Sequence, residues 1–263
     1  MTRLPLVACF HGGGSNASVM ASQCSRLQSL LSSTFEFVYF DAPFPRSAGP
    51  GVLPGFKDYG PFKTWFKIGE DGNTINDGSG YDYVKGDGIE RVLKMMLAKG
   101  AAHEWVGALG FSQGTRVVSG LLLDQQMKAE KGEEMDVELK FGVICMGSSG
   151  PMVSRSFGSE LDGSRFKSEC NVDSVIATEG ERSAVISALE IGYGVDLITT
   201  PTLHLHGLRD TNLNNGRKQL ATFFEPESTR LLEIDYHHAM PWVKSDSLQF
   251  AEMVMELYND TKC

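Results

Sequence analysis

Val106-Gly-Ala-Leu-Gly110-Phe-Ser112-Gln-Gly114-Thr-Arg-Val117-Val-Ser-Gly-Leu121-Leu122 is the stretch on which the fold turns. An apolar run ends at Gly110, a serine follows, and a helical pattern carrying Val117, Val118, Leu121 and Leu122 begins at once. Gly-x-Ser-x-Gly alone fixes few positions, so chance matches are common. Its context makes it a strand–turn–helix, in which the serine occupies a strained backbone position. Flanking glycines then let strand and helix approach without Cβ clashes, and the helix N-terminus favours negative charge developing near the hydroxyl. The competing role for Ser112 is an ordinary helix N-cap, which this context disfavours.

Outward from that turn, apolar runs alternate with helical patterns, the signature of a mostly parallel sheet covered by helices on both faces. Leu6–Phe10, Phe35–Phe40, Trp105–Leu109, Phe141–Met146, Thr202–His206 and Arg230–Tyr236 read as strands. Val19–Leu31 reads as one helix, Gln113–Gln126 as another, and Phe250, Met253, Val254 and Leu257 mark a terminal one. A further helix carries Ile89, Val92, Leu93, Met96 and Leu97, with Asp87 as its N-cap and Glu90 three residues on. The whole chain, 1–263, fits a single α/β domain. Residues 43–80 form a long aromatic-rich excursion, either packed on the sheet edge or lining a pocket. Residues 147–198 form an insertion whose one strong helical signal lies at Ala184–Ile191; it reads as a lid or as a disordered surface excursion.

Composition limits the partners. A net charge of −9 argues against nucleic acid or an anionic membrane, both of which repel such a protein at long range. There is no apolar run of the length a membrane span needs. The apolar stretch Leu4–Phe10 is short, lightly charged upstream, and runs straight into a glycine loop, so it reads as a strand rather than a signal peptide. The cytoplasm is the expected compartment. The five cysteines are scattered without a CxxC or metal spacing, and reduced thiols are expected.

His11-Gly-Gly-Gly14, after the first strand, suits an oxyanion hole, whose donors would be the N–H groups of Gly13 and Gln113. A phosphate loop is excluded because no Gly-Lys-Ser/Thr follows. His11 itself reads as a structural hydrogen-bonder. A serine nucleophile also needs a base that is neutral near pH 7. Of the six histidines, His103 reads as a surface residue and His204 and His206 as satisfied sheet residues. His237 and His238 follow the last strand, where a base belongs. Asp210, after the preceding strand, is the carboxylate that would orient it, with Asp235 as rival. A metal site built from His204, His206, Asp210 and His237 is the competing reading, but the HxHxDH run of some metallohydrolases is missing. No metal and no cofactor are expected.

Several stretches together resemble the FSH family of serine hydrolases, which have the α/β-hydrolase fold. They are Phe35-Glu-Phe-Val-Tyr39, Ala42-Pro-Phe-Pro45, Ser47-Ala-Gly-Pro-Gly51, Trp65-Phe66, Gly110-Phe-Ser-Gln-Gly114, Pro201-Thr-Leu-His204 with Gly207 and Asp210, and His238-Ala-Met-Pro241. The resemblance spans most of the chain and is poor over 147–198. It implies Ser112 as nucleophile, Asp210 as acid and His238 as base, since the family's histidine precedes an apolar residue and a proline. It also implies the release or editing of a polyketide thioester held on an acyl carrier protein, as by fungal polyketide-releasing thioesterases. Lys57, Lys63, Lys67 and Arg46 would dock the carrier. Two other readings stand beside it, a small-molecule carboxylesterase and a non-catalytic ligand receptor on a hydrolase fold.

Overall fold

The computed structural model describes residues 3–67, 86–152, 154 and 197–262. Among these residues six parallel strands form the central sheet: β1 (Leu6–Phe10), β2 (Glu36–Phe40), β5 (Trp105–Phe111), β6 (Phe141–Cys145), β7 (Thr202–Gly207) and β8 (Thr229–Ile234). Their spatial order is β2-β1-β5-β6-β7-β8, so the chain starts near one edge, doubles back once and then winds steadily to the other. β3 (Phe44–Arg46) and β4 (Phe62–Thr64) form a separate antiparallel pair.

Side-chain alternation explains why both faces are covered. From β1, Leu6, Ala8 and Phe10 join a core shared with α3 (Ile89–Leu97) and α4 (Gly114–Lys131), while Val7 and Cys9 join the opposite core. That second core takes Met20 of α1 (Ala17–Gln23), Leu27 of α2 (Ser25–Leu31), and Phe250, Val254 and Leu257 of α6 (Lys244–Asp260). α5 (Leu213–Phe223) contributes Leu220 and Phe223 to the first core.

Two sequence expectations are corrected. The helix read over Val19–Leu31 is two helices, because the chain turns at Cys24, whose N–H bonds back to Met20 O. Asp87 does not cap α3; Gly88 holds that place, and the Asp87 carboxylate instead pairs with Arg91 one turn on. The expected helix at Ala184–Ile191 and most of the 147–198 insertion lie outside the described residues, as do residues 68–80 of the aromatic excursion. Among the described cysteines, Cys9, Cys24 and Cys145 are free and buried, and burial pushes the Cys24 thiol up to about 12. No helix among the described residues is long and apolar enough to cross a membrane.

Candidate active site

The C-terminal ends of the parallel strands gather the site. At the end of β5, Ser112 adopts φ 51°, a left-handed conformation that a non-glycine residue takes only when its surroundings enforce it. Two neighbours do so. The Ser112 N–H donates to Cys145 O at the end of β6 (2.9 Å), and Ser112 O accepts from both the N–H and the hydroxyl of Thr115 (3.0 and 2.6 Å). α4 then passes so close to β1 that a Cβ at Gly114 would stand 2.0 Å from Phe10 O. Only glycine fits there.

Asp210 lies on the turn after β7 and His238 on the loop after β8. The His238 Nδ1–H donates to Asp210 Oδ2 at 2.6 Å, and the Asn212 N–H holds the other carboxylate oxygen at 2.8 Å. The Asp210 side chain is 2 % exposed and that of His238 24 %, so the carboxylate is buried beneath an imidazole that reaches solvent. Burial pushes the Asp210 carboxyl up. The His238 and Asn212 bonds outweigh that effect and leave it below its ordinary value. The ring of Phe111, next to the serine, lies 5.0 Å from the His238 imidazole.

Other contacts fix the His238 loop. Arg209 donates to Asp235 O (2.6 Å) and pairs with its carboxylate (2.8 Å), while Tyr236 OH accepts from Val243 N–H (2.9 Å). Asp235, the rival carboxylate, is therefore engaged on the outer surface. The exposed His237 points its Nδ1 at Arg209 O.

On the other side of Ser112, the glycine loop follows β1. The space a Cβ would take at Gly12 lies 3.2 Å from Ser112 Cβ, and the equivalent point at Gly13 lies 3.3 Å from the Gln113 amide carbon. Gly13, Ser112, Gln113 and His238 are each partly exposed. The N–H groups of Gly13 and Gln113 donate to no acceptor among the described residues. His11 is fully buried and bridges the loop to the next strand, with Nδ1 to Gly12 O (2.7 Å) and Nε2 accepting from Ala42 N–H (3.0 Å). Burial lowers its pKa to about 4, which keeps it neutral and suits a structural role.

Sequence reasoning did not foresee the side-chain role of Gln113. Its Oε1 accepts from Thr64 Oγ1 and Trp65 N–H, both at 2.9 Å. The aromatic excursion divides in use: Trp65 and Phe66 are core residues, whereas Phe56 lines an open groove of about 630 Å³ beside Met240, Pro241 and Trp242. His204 and His206 share a sheet face and are buried, but their ring nitrogens have no hydrogen-bond partner among the described residues, which corrects the expectation that they are satisfied. His206 Nδ1 lies 3.7 Å from a Glu233 carboxylate oxygen. No cluster of three metal-ligating side chains occurs among the described residues.

A family model described as "Serine hydrolase (FSH1)" matches residues 1–250.

The chain belongs to the FSH1 serine hydrolase family.

Fungal esterases are among its relatives. The chain is 34% identical to the esterase citA of Monascus ruber, over 98% of this chain and 94% of that protein. It is 32% identical to the esterase dbaE of Emericella nidulans, over 98% and 92%. The fold is shared more widely among α/β-hydrolases. A solved acyl-protein thioesterase 2 of Zea mays superposes with a TM-score of 0.53 at 16% identity, covering 98% of this chain and 95% of that one. As an FSH1 member, the protein is a serine hydrolase.

Proposed function

We propose that this FSH1 protein hydrolyses esters through an acyl-enzyme on Ser112, with Asp210 and His238 completing the triad. The Asp210–His238 bond at 2.6 Å, beside a serine at φ 51°, is the observation that carries this reading. With Nδ1–H committed to a buried carboxylate, the free electron pair of the imidazole is on Nε2. Nε2 takes the Ser112 proton as Oγ attacks the carbonyl, and passes it to the departing alkoxide or thiolate. Water then attacks the acyl-enzyme, giving its proton to His238, which returns it to Ser112 Oγ as the acid leaves. The N–H groups of Gly13 and Gln113 hold the oxyanion in both steps; one such donor is worth about 3–4 kcal/mol.

A small ester is the substrate class that the relatives' names favour, since they are called esterases. We infer further that the acyl group is a polyketide presented as a thioester on an acyl carrier protein. The resemblance to polyketide-releasing enzymes supports this; Arg46 and Lys63 lie on the β3–β4 pair next to the glycine loop, one register step apart and so on opposite faces of it. Lys57 and Lys67 are exposed nearby. The carboxylesterase reading takes the same triad with a free ester.

Intact-mass measurement after mixing with acyl-loaded carrier proteins, and separately with aryl esters, tests both levels. A mass increase on the wild type that is absent from Ser112→Ala supports the triad. A Ser112→Ala protein that turned over esters at more than about a hundredth of the wild-type rate would sink it, because loss of such a nucleophile costs on the order of 10⁴–10⁶. Acylation by esters but not by carriers would leave the carboxylesterase.

A further inference from the structure

We propose that the Gln113 side chain, Thr64 and Trp65 form a clamp that sets the distance between the two halves of the oxyanion hole. Gln113, Thr64 and Trp65 are thereby positioning residues whose side chains touch no reacting atom. This rests on the reading of Gly13 and Gln113 N–H as oxyanion donors.

The two donors come from separate parts of the chain. Gly13 lies on the loop after β1, whereas Gln113 opens α4. Neither N–H is held by an acceptor among the described residues, so their mutual position depends on what ties the two segments together. The β3–β4 hairpin does this, and it grips both sides.

Backbone bonds join the hairpin to the glycine loop. Gly14 N–H donates to Lys63 O (2.8 Å) and Lys63 N–H donates to Ser15 O (2.7 Å), in antiparallel fashion. Gly49 N–H, just beyond β3, donates to Gly14 O (2.8 Å). The indole of Trp65 adds a fourth tie, its Nε1–H donating to His11 O at 2.8 Å. Its ring packs on His11 at 5.4 Å and edge-on against Phe10 at 5.5 Å.

The grip on the elbow is a single side chain. Gln113 Oε1 receives the Thr64 hydroxyl and the Trp65 N–H together, which uses both lone pairs of that oxygen. Thr64 and Trp65 are buried and Gln113 is partly exposed, so solvent reaches these bonds from one side only. The residue whose N–H faces the substrate on one side is thus locked, through its own side chain, to the strand that carries the other donor's loop.

Donors help a tetrahedral oxyanion only when they sit within about 3 Å of it, and displacement by about 1 Å can cost on the order of 100-fold in rate. The ground-state ester gains much less from them. Loosening the clamp is therefore expected to lower kcat and to leave KM nearly unchanged.

The test uses the full chain with three substitutions. Thr64→Val is nearly isosteric and removes one donor; Thr64→Ser keeps the hydroxyl; Trp65→Phe removes the indole N–H while keeping an aromatic ring. Each is assayed for ester kcat and KM, for affinity toward an aryl trifluoromethyl ketone that adds to the serine as an oxyanion, and for Tm. Thr64→Val and Trp65→Phe should lose about 5–50-fold in kcat, with KM within about twofold, and lose ketone affinity by a similar factor. Thr64→Ser should regain most of both. A kcat within twofold of wild type in a folded Thr64→Val and Trp65→Phe, or ketone affinity unchanged while kcat falls, would overturn the clamp. Fluorophosphonate labelling of the same samples separates this from failure of the triad. If wild type is not labelled on Ser112, the reading of the nucleophile is wrong; if it is labelled and the variants keep full kcat, only the clamp is.

Discussion

Ser112 and its partners show how local chemistry is enforced by neighbours. The serine's left-handed conformation is held by a bond to Cys145 and two bonds from Thr115. Asp210 is equally constrained, with each carboxylate oxygen committed. Asp210→Asn should leave the fold intact and cut kcat by about 10⁴, since the amide orients the wrong imidazole tautomer; a loss under tenfold would contradict the assigned role. The sign of its pH effect follows from the direction of the shift. A carboxyl lowered on folding stabilises the protein above the unfolded value of about 4 and loses that contribution as pH falls through the folded value. His204 is the opposite case. Both its ring nitrogens are buried without partners among the described residues, so His204→Leu should raise stability by about 1–3 kcal/mol at pH 7, read from urea unfolding. A destabilised variant would mean that the imidazole has a partner in solution.

Elements place these residues through close approaches rather than through propensity. The turn after β7 lies so near the His238 loop that a Cβ at Gly207 would sit 2.6 Å from Tyr236 O and 2.8 Å from His237 O. Gly207→Ala should therefore push the two loops apart, with a cost of about 1–3 kcal/mol and a larger relative loss in kcat than in KM. Unchanged kcat in that variant would show that the His238 loop is held independently of β7. The same principle separates what was legible along the chain from what was not. The strands and α4 were readable because their apolar periodicity is local. The break at Cys24 has no glycine or proline to announce it. The Asp87–Arg91 pair shows the same limit at α3: the expected cap residue found a better partner one turn along.

For the molecule as a whole, neutral histidines in the interior are expected to add to the acid limb of stability. Burial lowers His11 to about 4, and burial together with His206 lowers His204 to about 3, both from 6.5. Because the folded values are lower, the unfolded chain binds more protons below pH 6.5, and stability falls as pH drops from there toward the folded values. His11 alone accounts for about 3 kcal/mol over that window. Urea unfolding at fixed temperature should show ΔG declining between about pH 6.5 and 4, with a shallower slope in His204→Leu. A flat profile, or equal slopes in the two proteins, would rule out these groups as the cause.

The class of fold and three positions of the proposed site were already present in the order of residues. Alternating apolar runs dictate a covered parallel sheet, and such a sheet brings the loops after its strands to one edge. Ser112, Asp210 and His238 could therefore be read from their places after β5, β7 and β8, although the last two stand 28 residues apart. The choice between His237 and His238 needed either the family pattern or the geometry, since adjacent residues share one local context. Folding in three dimensions was required to join Gln113 to Thr64 and Trp65, across 49 and 48 residues. It alone, too, left the ring nitrogens of His204 and His206 without hydrogen-bond partners among the described residues. Periodicity reports which side of an element faces the core. Which polar atom meets which across the core depends on how whole elements pack, and no local pattern encodes that.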